Sequence, residues 1–61
     1  MKVLRNRIDN MIFESLEEVE TYFADELNAS DCIILDLEDA ADVLNAIDMY
    51  GCGTTFLIEE V

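Results

Sequence analysis

From Ile8 to Val61 the chain carries all fifteen of its carboxylates and not one Lys, Arg or His. An isolated charged carboxylate is very costly to bury. This stretch must therefore keep its acids outside and build its core from apolar residues. Those are plentiful: 52% of the 61 residues are hydrophobic, and Leu, Ile, Val and Phe recur in periodic runs, unlike the apolar-poor pattern of disordered acidic tails. The composition describes a folded domain in an acidic coat, expected as one unit over residues 1–61. A chain of this size buries only about 60% of the surface its unfolded form exposes. That leaves one thin core and little room for a catalytic cavity.

The periodic runs place the elements. Ser15 with Glu18 forms the S-x-x-E capping box of a helix start. Leu16, Val19, Phe23 and Leu27 follow as the apolar stripe of one amphipathic helix, with Glu17, Glu18, Thr21 and Asp25 opposite and "NASD" at 28–31 ending it. Asp25 and Glu26 then stand near the helix end, where acids oppose the dipole. "CIILDL", 32–37, is a continuous apolar run that predicts a central strand. Asp36 or Glu38 begins a second helix with Ala40, Val43, Leu44, Ile47 and Tyr50 inward. Gly51 stands where a left-handed residue closes a helix, and "TTFLIEEV", 54–61, predicts a terminal strand. "MKVLRNRIDNMIF" reads as extended, with "DN" at 9–10 a turn signal, as one interrupted strand or a hairpin. The expectation is α+β, or small α/β: a βαβαβ order with a three- to four-stranded sheet and two amphipathic helices on one face.

Catalytic chemistry finds few residues to use. Activating Ser or Cys requires a base poised near neutrality, yet there is no His and the single Lys is Lys2. Cys52, in "YGCGTT", follows a helix C-terminus in a negative field, which raises a thiol pKa rather than lowering it. Without a signal sequence, Cys32 and Cys52 read as two reduced thiols acting as small hydrophobes, although a disulfide between them stays open. Zinc would need two more ligands. The calcium-loop signature is absent, and "GCG" follows a helix instead of opening one, so no phosphate loop forms. The expectation is no enzyme, no cofactor and no metal. "ESLEEVETYFADEL" resembles the D-S-L helix of acyl carrier proteins, whose Ser carries phosphopantetheine. Carrier proteins are longer four-helix bundles, and Ser15 as a helix cap explains the same letters.

The charge carries the functional expectation. A net charge of −12 exceeds the magnitude of about 2 to 8 usual for a small soluble domain. It repels nucleic acid and anionic membrane and steers the chain toward basic surfaces. Like-charge pairs such as Glu14/Glu18, Glu17/Glu20 and Glu38/Asp42 each cost roughly 0.2–0.5 kcal/mol on an exposed helix. A surface kept acidic against its own stability points to a partner that wants negative charge. Glu17, Glu18 and Asp25 on the first helix, joined by Glu38 and Asp42 on the second, form the expected partner-binding array. Such an array is a crude copy of a nucleic-acid backbone.

In size, charge and lack of catalytic residues, the chain resembles the small acidic inhibitors of phages and mobile elements, above all DNA-mimicking anti-CRISPR proteins. That resemblance implies blocked DNA binding by a CRISPR effector subunit. The tail "VLNAIDMYGCGTTFLIEEV" is similar to the last helix and strand of barstar-type ribonuclease inhibitors, which plug a basic enzyme. The alternative is a generic protein-interaction module, such as an antitoxin or small subunit, that uses an exposed apolar residue such as Met11 or Met49. Without a membrane span or signal sequence, the expected location is cytoplasmic, and the expected state a monomer or weak homodimer.

Overall fold

The computed structural model describes residues 1–47, 51 and 53–61. Three strands, β1 (Lys2–Asn6), β2 (Ile12–Phe13) and β3 (Phe56–Glu60), form one sheet in the order β2-β1-β3. Both pairings are antiparallel. The N-terminal segment is therefore a hairpin, and the signal at 9–10 marks its turn. Asn10 adopts a left-handed φ of 61°. The Asn6 side chain accepts the Ile8 N–H at 2.9 Å, and Asp9 accepts the Met11 N–H at 2.9 Å. Short polar side chains that bond the backbone two residues on are what stabilise such turns.

Among the described residues three helices connect β2 to β3: α1 (Leu16–Tyr22), α2 (Ala24–Ala29) and α3 (Leu37–Ile47). The order is thus β-β-α-α-α-β, which corrects the expected βαβαβ. Two differences produce it. First, the single helix expected over 16–27 breaks at Phe23, whose φ of −110° and ψ of 33° leave the helical region. The apolar stripe survives the break, since Val19, Phe23 and Leu27 are all buried. Second, residues 32–35 form no strand. Ile33 is 84% and Leu35 78% exposed, while Ile34 packs against the core. Cys32 is likewise exposed, not a buried small hydrophobe.

α1 and α3 pack on the sheet, and α2 packs on α1 and α3. Leu4, Phe13 and Phe56 from the strands meet Val19, Phe23, Leu27, Ala40, Ala41 and Leu44 in one buried cluster. Phe23 is its hinge: its ring lies 5.6 Å from Phe13 and 5.5 Å from Phe56, the latter at 90°. Edge-to-face contacts of this kind add about 0.5–1.5 kcal/mol beyond area burial. Within α3 the buried positions are Ala40, Ala41 and Leu44, with Val43 half-buried and Ile47 39% exposed. Gly51 has the left-handed φ of 78° expected of it. Tyr50, Met49 and Cys52 lie outside the described residues, and Cys32 is a free thiol.

Candidate acidic interface

The starts of α1 and α3 spend carboxylates on their own backbone, whereas α2 begins at Phe23 without a side-chain cap. At α1, the Glu18 N–H donates to Ser15 Oγ at 3.3 Å, and Glu18 Oε2 accepts the Glu14 N–H at 3.2 Å. The capping box forms, with its returning carboxylate one residue further back than the usual pattern. At α3, the same arrangement recurs without Ser: the Asp39 N–H donates to Asp36 Oδ1 at 2.8 Å, and Asp39 Oδ2 accepts the Leu35 N–H at 3.0 Å. The signal for this second box was present in "DLED", Asp36 with an acid three residues on.

The cations are spent as well. Lys2 pairs with Glu38, Arg5 with Glu59 at 3.1 Å, and the N-terminal amine with Glu60 at 3.4 Å. Arg7 donates to the Thr54 carbonyl at 3.3 Å. Glu38, through hydrogen bonding and charge, raises the Lys2 ammonium above its ordinary pKa. All the side-chain cations of the molecule thus sit on β1 or its turn, and each is held by a neighbour.

The five nominated acids consequently divide. Glu18 is committed to its helix cap and Glu38 to Lys2. The carboxylates of Glu17 on α1, Asp25 on α2 and Asp42 on α3 have no partner among the described residues and are exposed. The break at Phe23 divides the continuous stripe expected along one helix between two. It also moves Asp25 and Glu26 from a helix end into the first turn of α2, where the dipole favours acids. None of the three helices carries a basic residue in its last turn, so nothing on the helical layer offsets these charges.

Glu17 has an apolar setting that its sequence position did not reveal. It lines an open groove of about 560 Å³ with Met11, Ile12, Thr21 and Tyr22. Ile12 is 51% and Tyr22 57% exposed, and Met11 36%. A long basic side chain can lay its methylene stem on such a surface and bring its charged head to a carboxylate. The Tyr22 ring adds a face to which a guanidinium is attracted.

Among the described residues no helix is long and apolar enough to cross a membrane, and no group of three or more potential ligands is arranged to hold a metal ion. Comparison with protein-family models, curated proteins and solved structures finds no match for the chain.

Proposed function

We propose that this protein is an acidic inhibitor that binds a basic nucleic-acid-binding protein and blocks its DNA or RNA binding by charge mimicry. The observation that carries the reading is the segregation of charge. All three basic side chains lie on β1 and its turn and are engaged locally, while Glu17, Asp25 and Asp42 have no partner among the described residues. The groove beside Glu17 supports it, since its mixture of Met11, Ile12, Tyr22 and carboxylate suits an Arg or Lys side chain. The resemblance in size and charge to DNA-mimicking anti-CRISPR proteins makes a DNA-binding CRISPR effector subunit the target class of choice.

The test begins with capture on the immobilised chain and elution by rising salt. The captured protein is then assayed for duplex binding with and without the chain. Charge mimicry predicts elution by moderate salt, because exposed charges beyond about 8–10 Å are screened near physiological ionic strength, and loss of duplex binding when the chain is present. Undiminished duplex binding would refute the proposal. A second reading, an interaction module such as an antitoxin or small subunit, is favoured by Ile33 and Leu35, which are 84% and 78% exposed. It predicts a complex that survives high salt.

A further inference from the structure

The hydrogen-bond register of the sheet determines which backbone groups of β3 face outward. The Arg7 N–H donates to the Thr55 carbonyl at 2.9 Å, and the Val61 N–H to the Met1 carbonyl at 2.8 Å. Directly opposed residues in an antiparallel pair alternate between exchanging and not exchanging backbone bonds. With Lys2 opposite Glu60 and Leu4 opposite Ile58, Leu57 and Glu59 turn their amides and carbonyls to β1. Those of Phe56, Ile58 and Glu60 turn away from it, toward the free edge.

This edge is closed at one end only. Asn45, from α3, accepts the Phe56 N–H through Oδ1 and donates through Nδ2 to the Phe56 carbonyl, both at 2.9 Å. Its side-chain amide does there what the backbone of a neighbouring strand would do. Ile58 and Glu60 receive no such cover among the described residues. Beside them runs an open groove of about 290 Å³ lined by Glu38, Ala41, Asp42, Asn45, Phe56, Leu57 and Ile58.

An uncovered edge is a template for another strand, and natural proteins usually blunt one with Lys, Pro or a bulge. This strand has none of these; its sequence is FLIEE. A second copy of the chain is a poor occupant, because it would bring another net charge of −12 against Glu60, Asp42 and Glu38. We propose that the β3 edge accepts an extended basic segment of the partner protein as an added strand. Its backbone pairs with Ile58 and Glu60, and Asn45 fixes where the pairing stops. Side chains pointing to α3 meet Asp42, which selects Lys or Arg. Those on the opposite face meet Leu57, which selects an apolar residue. The inference rests on the proposed function only for the sign of the partner's charge.

The experiment uses the full chain and a synthetic peptide alternating Lys and Val, with amide hydrogen exchange read residue by residue. Saturating peptide should slow exchange at Ile58 and Glu60 about tenfold or more, as newly bonded amides do. The same peptide N-methylated on the amides facing β3 should bind about tenfold more weakly, having lost those donors. A Glu–Val peptide should give no protection. Ile58→Pro, which removes an outward donor without touching the bonds to β1, should lose the peptide. Unchanged exchange at Ile58 and Glu60, or equal binding of the N-methylated peptide, would overturn the proposal. Protection of both amides without peptide, in a chain that sediments as a dimer, would assign the edge to a second copy and also overturn it. The Glu17→Lys, Asp25→Lys double variant should keep the peptide protection, so failure of the helical charge mimic and failure of the edge are told apart.

Discussion

Strand β3 and the stretch 32–35 carry the same kind of side chain in opposite surroundings. Phe56–Glu60 lies beside β1 over five consecutive residue pairs, with Phe56 in the core and Ile58 packed against it. The stretch 32–35 lies beside no strand. It runs from Asp31, at a left-handed φ of 60°, to the Asp36 cap of α3. Only Ile34 reaches the core, while Ile33 and Leu35 face solvent. Strand propensity expresses fit to a pleated, paired surface more than a preference of the backbone itself. The edges of β1 are taken by β2 and β3, so a third apolar run finds no edge of β1 to join. What separates the two stretches is the strand neighbour that one has and the other lacks, not their composition.

The largest test of that contrast is a pair of proline substitutions. Leu57→Pro removes an amide that β1 uses and should cost about 3 kcal/mol or more, enough to unfold much of a domain this small. Ile33→Pro removes an amide with no ladder bond and should change stability far less. Denaturant midpoints of the two variants measure the difference, and equal losses would mean that 32–35 is a structural strand after all. Asn45→Ala comes next. It removes both side-chain bonds to the Phe56 backbone and should cost about 1–3 kcal/mol in chemical denaturation. Ile33→Thr with Leu35→Thr should shift stability by no more than about 0.5 kcal/mol, as exposed substitutions do.

The smallest effect concerns pH. Glu38 raises the Lys2 pKa, so the pair's contribution is fully present below the ordinary lysine range and is lost as pH rises through the raised value. The melting temperatures of the parent and Lys2→Met should therefore keep a constant offset from neutral pH to about 10. They should converge only above it.

The same contrast explains how far the sequence could be read. Elements set by local chemistry were legible: the Ser15 cap, the stripe of Val19, Phe23 and Leu27, and the turn signal at 9–10. Each is dictated by residues within a few positions of one another. The break at Phe23 was not legible, because the contacts that accompany it, Phe13 and Phe56, come from distant strands. Nor was the fate of 32–35, which depends on how the strands pair across the chain. For the interface, charge alone nominated Glu18 and Glu38 alongside Glu17, Asp25 and Asp42. Composition counts carboxylates but cannot tell which are engaged in caps and ion pairs. The groove at Glu17 and the open edge at Ile58 arise from tertiary packing and had no sequence signature.

In the proposed function, carboxylates without a partner among the described residues, not exposed apolar residues, make the contact that blocks nucleic-acid binding. The most direct measurement is displacement of labelled duplex from the captured target by two folded variants compared with the parent. One is Glu17→Lys with Asp25→Lys, and the other is Ile33→Thr with Leu35→Thr. The charge-reversed variant should lose about tenfold or more in inhibitory potency at low salt while the apolar variant keeps the parent's potency. Full potency in the charge-reversed variant, with loss in the apolar one, would contradict the proposal.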